Sequence, residues 1–357
     1  RIALNGLSAL LVWRAIRSGK APEATVGARI NLPAPDPSPA QRWTPRAFDL
    51  EFLGLETPSG EKGPLAVAVP EARLRIRTAG VACTTYTKLP EGAFVEVGGG
   101  VALACPELVY LEMGAKMDPM VQLLLGCELC GTYSRDPTDP RNGEVTFGLE
   151  PLTTPERIAD FSRGCGKIHS AAQSRNVLPH VIANAWSPME ALAACLLTLD
   201  NGWLGYDLGP VVLNPRVSTA DDATRVPDIL FEDTHLGINY DGSQHLEDRD
   251  RLVDDKRRTR ELLAAGYTVL PMTSEDLSRE GAFDALVLQL MDFLEREEGH
   301  NLTRQRAFLA RKRVQRDRQK LIWSLMPGER GKQLSREKAD EKPAEPRAVI
   351  DAFLPMQ

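Results

Sequence analysis

The chain reads as an α+β / α/β protein: an N-terminal α+β region followed by a mixed sheet flanked by helices, in the order α-β-β-β-α-β-α. Three observations predict this. The length is 357 residues, which favours two domains, each large enough for its own core. Short β-type runs crowd residues 65–104, and helical texture follows them. After residue 185, by contrast, helical and strand patterns alternate. Hydrophobic residues make up 43% and charged residues 26%, an ordinary globular composition. Lys and Arg number 43 against 49 Asp and Glu, a net of −6, which excludes a wholly basic surface but leaves room for a local patch. No uncharged apolar run approaches the length of a membrane span. Six cysteines in this length read as reduced thiols, and a cytoplasmic location is expected.

Leu7, Leu10, Leu11 and Ile16 fall at helical spacing, so residues 1–20 are expected to hold a helix over 4–18. Residues 2–13 are uncharged but interrupted by Asn5, Gly6 and Ser8, and read as amphipathic helix rather than signal peptide. Six prolines between Ala21 and Arg46 predict a linker or extended arm over 21–46, because proline removes backbone donors. An α+β domain is expected over 47–180. Its strands are Leu65–Val69, Arg73–Arg77, Phe94–Val97 and Val101–Ala104, and helical texture runs from Pro106 through Gly131 and again after Thr154. Arg73, Arg75 and Arg77 alternate with Leu74 and Ile76, giving that predicted strand one basic and one apolar face.

In the second domain, 185–300, Ser187-Pro-Met-Glu190 has the pattern of a capping box and opens a helix to about Leu199. Strands are expected at Gly209–Leu213, Pro227–Glu232 and Leu236–Tyr240. A charged helix then runs from about Glu247 to Ala265, closed by Gly266, before a strand at Thr268–Met272 and a helix at Ala282–Glu298. Residues 301–326 form a basic helix, and 327–357 read as a disordered tail.

The chemistry concentrates where two predicted strands carry Asp228 and then Asn239 and Asp241. Side chains alternate along a strand, so Asn239 and Asp241 share a face, and two neighbouring strands can converge these oxygen-bearing groups. Oxygen ligands suit Mg²⁺ or Mn²⁺, which can activate water and support in-line attack on a phosphate. The same residues also read as a hairpin turn at Asp241-Gly242 and a strand-end Asp228.

The segment from Pro188 to Leu277 resembles the very-short-patch-repair-like group of PD-(D/E)xK, restriction-endonuclease-like nucleases. The residues that carry the resemblance are Ser187-Pro-Met-Glu190, Pro227-Asp228, Asn239-Tyr-Asp241-Gly-Ser-Gln-His245, Arg257, Leu262, Gly266 and Val269. It implies a restriction-endonuclease-like sheet and a metal-dependent DNA endonuclease. Asp228 and Asp241 would be metal ligands, with Asn239, His245, Lys256 and Glu190 as further catalytic candidates. Asn239 departs from the family's usual glutamate: an amide carbonyl can coordinate a cation but brings no charge. The bland readings are a capping role for Glu190, a packing role for His245 and a solvated Lys256. Residues 60–165 loosely resemble abortive-infection (AbiEi-like) antitoxin proteins, on Leu129-Cys-Gly-Thr-Tyr-Ser134 and Thr154-Pro-Glu-Arg157. That implies a regulatory or DNA-binding role and a cognate partner in a defence or toxin-antitoxin setting.

Two further signals remain. Cys127, Cys130, Cys165 and His169 make a candidate structural Zn²⁺ set, weighed against buried free cysteines on an apolar helix. Residues 301–326 carry eight basic side chains (Arg304, Arg306, Arg311, Lys312, Arg313, Arg316, Arg318, Lys320) against the one acid Asp317, which predicts a contact with DNA phosphates.

Overall fold

The computed structural model describes residues 1–36, 50–54, 64–168, 171–218, 224–241, 257 and 259–326. These divide into two compact units, with the division between Val181 and Ile182. No helix among the described residues is long and apolar enough to cross a membrane.

The first unit is built on a six-stranded mixed sheet. Its strands are β1 (Ile2–Leu4), β2 (Arg29–Ile30), β3 (Leu65–Val69), β4 (Val81–Thr85), β5 (Phe94–Glu96) and β6 (Val101–Ala104), in the order β2-β5-β6-β1-β3-β4. β1 lies between β6, to which it is parallel, and β3, to which it is antiparallel, with Ala3 opposite both Ala102 and Ala68. All three are buried along their whole length, which is why they read as continuous apolar runs rather than alternating ones.

The N-terminal helix expected over 4–18 is α1 (Gly6–Arg17), preceded by the strand β1. It belongs to the core of this unit. Trp13 donates its indole N–H to the Ala104 carbonyl at 2.9 Å. Arg14 is buried and forms a two-pronged ion pair with Glu128 at 2.7–2.9 Å. Arg17 donates to the carbonyls of Glu128, Gly131, Tyr133 and Glu150, satisfying backbone acceptors at and beyond the end of a neighbouring helix. The proline-rich arm is likewise drawn in, since β2 pairs antiparallel with β5; residues 37–46 lie outside the described ones.

The strand expected at Arg73–Arg77 is not one. Ala72–Leu74 is a single 3₁₀ turn, with Arg73 paired locally to Glu71, and the strand beside β3 is β4 instead. The predicted helix over 106–131 is two: α2 (Pro106–Met113) and α3 (Pro119–Leu129). Asp118 caps α3 by accepting the Met120 N–H, ahead of Pro119 at the first helical position. α4 (Pro155–Gly164) starts the same way, with Thr154 as its cap, and α5 (Ala171–Val177) follows.

The second unit opens with α6 (Pro188–Thr198), capped by Ser187. A four-stranded mixed sheet follows, of β7 (Val211–Leu213), β10 (Ile229–Phe231), β11 (Leu236–Asp241) and β12 (Thr268–Thr273), in the order β12-β11-β10-β7. β7, β10 and β11 are antiparallel and β12 is parallel to β11. A small ribbon of β8 (Val217–Ser218) and β9 (Thr224–Arg225) is additional to the expected set. Helical residues 259–264 end at Gly266, whose φ of 88° is the left-handed conformation that glycine allows at a helix end. The rest of the predicted charged helix, 247–256 and 258, lies outside the described residues. Thr273 and Asp276 form a capping box for α7 (Ser274–Ser278), before α8 (Ala282–Arg296). The basic segment is not one helix but two, α9 (Thr303–Leu309) and α10 (Lys312–Leu325). The tail 327–357 lies outside the described residues.

Candidate functional site

The register of β10 against β11 pairs Ile229 with Ile238 and Leu230 with Gly237, so Asp228 falls opposite Asn239. Two hydrogen bonds fasten it there. The Asp228 N–H donates to Asn239 Oδ1 at 3.4 Å, and the Tyr240 N–H donates to Asp228 Oδ2 at 2.6 Å. Asp241, the last residue of β11, is exposed and stands opposite Thr273 of β12.

Glu190, in the first turn of α6, is only 7% exposed. Its N–H donates to Ser187 Oγ at 3.2 Å, but the return arm of the expected capping box goes one residue further back: the Trp186 N–H donates to Glu190 Oε2 at 3.0 Å. Asn214 Nδ2 donates to the same oxygen at 3.1 Å. Burial, and then the nearby charge of Asp228, push the Glu190 carboxyl up to about 7. Burial and the Glu190 charge in turn push the Tyr240 hydroxyl up to about 12.

Asn214 was not among the residues expected from the sequence. It is 4% exposed, follows β7 and holds a left-handed φ of 51°, a conformation asparagine tolerates better than most residues. Its side chain donates to the Asn184 carbonyl at 2.9 Å as well as to Glu190, and its N–H donates to the Asp228 carbonyl at 3.0 Å. One residue thus ties the end of β7 to the Glu190 carboxylate and to the backbone of Asp228. An Asn just after a strand is the only local signal for it, and that signal is shared with every ordinary turn.

No family model, curated protein or solved structure matches this chain. The candidate site therefore rests on its own geometry. The structure brings Glu190, Asp228 and Asn239 together and sets Asp241 at the exposed end of the same strand. His245 and Lys256 lie outside the described residues. Among the described residues, no three or more His, Cys, Asp or Glu are grouped so as to hold a metal ion. The donor chemistry itself suits a hard cation that keeps most of its waters and takes one or two carboxylates.

The cysteines offer less. Cys127 and Cys130 are buried beside α2, and burial, with Cys127 next, pushes the Cys130 thiol well above its ordinary value. Burial also pushes Cys165 up, to about 11. Thiols so disposed resist the deprotonation that zinc ligation needs. The three cysteines are not gathered into one set, and His169 lies outside the described residues.

The basic residues divide by what holds them. Arg318 is 1% exposed: it pairs with Asp284 at 2.9 Å, donates to the Leu204 and Gly205 carbonyls and lies over the Tyr206 ring at 3.7 Å. That arginine belongs to the interior and not to a DNA-facing surface. Arg306 is held by Asp292 and Glu295 of α8 at 2.5 and 2.6 Å. Arg304, Arg311, Lys312, Arg313, Arg316 and Lys320 are exposed. Lys312, Arg316 and Lys320 recur every four residues, which on a helix makes a stripe with a rise of about 6 Å per step.

Proposed function

We propose that the protein is a metal-dependent DNA endonuclease with a restriction-endonuclease-like second domain, hydrolysing phosphodiester bonds at the Glu190–Asp228–Asn239 site. The observation that carries this reading is a buried carboxyl, Glu190, beside a second acid, Asp228, whose N–H and carboxylate are each hydrogen-bonded to the neighbouring strand; burial and that neighbour push Glu190 up to about 7. A carboxyl matched to neutral pH is what general acid–base work needs, and structural capping does not require it. Asp228 and Asp241 would hold Mg²⁺ or Mn²⁺, with Asn239 beside them. Such an ion supplies an activated water and neutralises charge on the phosphate. Trp186 and Asn214 fix Glu190 Oε2, so Oε1 is the atom on which a proton is taken up or released. The exposed basic side chains of α9 and α10 would bind the DNA phosphates.

One observation favours a second reading, a catalytically degenerate nuclease fold acting as a DNA-binding or antitoxin-like regulator. Asn239 brings no charge, and its Oδ1 already accepts the Asp228 N–H. Plasmid nicking in Mg²⁺ or Mn²⁺ separates the two. Nicking by the parent, abolished in Asp228→Ala and Asp241→Ala and reduced about 10²-fold or more in Glu190→Gln, supports the enzyme. A silent parent with activity gained in Asn239→Glu indicates a decayed site on an intact scaffold. Silence from parent and Asn239→Glu, with DNA binding intact, leaves the regulator.

A further inference from the structure

We infer that the groove between α8 and α10 is a docking site for an acidic amphipathic helix of a partner protein, which covers two of the cations offered to DNA. The docking is independent of the nuclease chemistry, and only the competition with DNA rests on the DNA-binding reading above. The groove lies within the second unit and has a volume of about 600 Å³, in the range of binding clefts. Its α8 wall carries Ala285 and Leu288, three residues apart and so on one face of the helix, and Leu288 is 37% exposed. Leu309, the buried end of α9, lines it as well. The α10 wall carries Lys312 and Arg316.

The charges identify the guest. Arg306, Arg313 and Arg318 each pair with an acid, whereas among the described residues Lys312 and Arg316 pair with none, and both are exposed at the groove. Two acids also line it, Glu280 and Asp284, but Asp284 is taken by Arg318 and by the Tyr206 hydroxyl. Lys312 and Arg316 are four residues apart, a rise of about 6 Å along the helix. Carboxylates at i and i+4 on a guest helix repeat at the same interval, so they can meet both cations while the guest's apolar stripe covers Leu288. A phosphate backbone matches the cations alone and leaves Leu288 in water. A small ligand needs enclosing apolar walls, and one wall of this groove is two exposed cations.

The test uses the full chain and reads the anisotropy of a labelled peptide of about 16 residues, built of Leu, Glu and Ala with Leu along one helical face and Glu every fourth residue beside it. The controls are a scramble of the same composition and the same pattern with Lys in place of Glu. The parent is expected to bind the patterned acidic peptide at least about tenfold more tightly than either control, and duplex DNA should displace it. Leu288→Ser, and Lys312→Ala combined with Arg316→Ala, should each weaken the peptide about tenfold. These side chains are exposed, and unchanged urea unfolding checks that the fold is kept. Equal binding of the patterned peptide and the scramble, or no binding of either, overturns the inference. A loss on removing the two cations with none in Leu288→Ser also overturns it, and assigns the groove to nucleic-acid phosphate. Duplex bound without displacing the peptide upholds the docking site and removes the competition. Docking that needs Leu288 and both cations, in a protein that binds no duplex, upholds the site and removes the DNA reading instead.

Discussion

At the scale of single residues, burial decides what each charged group does. Glu190 illustrates the cost of placing a carboxylate beside another in a dry setting. The unfolded chain has released this proton by about pH 5, whereas the folded protein keeps it to about 7. The folded state therefore binds more protons across that window, and stability falls as pH rises through it. A displacement of this size is worth on the order of 3 kcal/mol. Glu190→Gln retains an oxygen for the Trp186 and Asn214 donors but cannot ionise. In EDTA it should unfold at higher urea than the parent at about pH 8 and match it at about pH 5. Parallel pH profiles for the two proteins would refute the assignment. Arg318 is the opposite case, a buried cation each of whose three side-chain nitrogens donates to an acceptor. Arg318→Ala should lower stability by about 3 kcal/mol or more by stranding Asp284 and two carbonyls. Arg318→Lys should recover only a minor part, because an ammonium cannot reproduce the planar fork over Tyr206.

At the scale of elements, helix starts are marked where a capping residue precedes proline, while the breaks between α2 and α3 and between α9 and α10 were not foreseen. Asp118-Pro119, Thr154-Pro155 and Ser187-Pro188 each combine a side-chain acceptor with a proline at the first helical position, and each opens a helix as such a pair should. How closely two elements approach is set by what lies between them. A Cβ added at Gly126 of α3 would stand 2.5 Å from Val181 Cγ2 and 3.0 Å from the Tyr110 ring of α2. Gly126→Ala should therefore destabilise the first unit by about 1–3 kcal/mol, despite alanine's better helix propensity. Urea unfolding that shows a gain would mean the neighbours yield without strain.

At the scale of the whole molecule, charge is segregated. The chain carries a net of −6, yet the exposed face of α10 repeats Lys312, Arg316 and Lys320 along one stripe. Binding through such a stripe releases counterions, so affinity for duplex DNA should fall steeply with salt. Changing the three together to Glu should lower the slope of log K against log salt by about 2 to 3, since each lost phosphate contact removes about 0.9. An unchanged slope would place the DNA contact elsewhere.

The mixed α+β class, the four sheet strands of the second unit and the convergence of Asp228 and Asn239 on adjacent strands were legible in the sequence, because turns and strand alternation are local rules that act on neighbouring residues. β4 and β1 were not. β4 is a half-exposed edge strand of weak texture, and β1 is a three-residue strand whose apolar character merges into α1. Nor did composition distinguish Arg318 from Lys312 on one helix: both are cations, and only the packing of Tyr206 and Asp284 against one side makes the first an interior anchor and leaves the second in water. Asn214 and Trp186 acquire meaning in the same way. Each is an unremarkable loop residue in the sequence, and each becomes part of a site only because the folded chain delivers it to the carboxylate of Glu190, where burial turns an ordinary acid into one that holds its proton near neutrality.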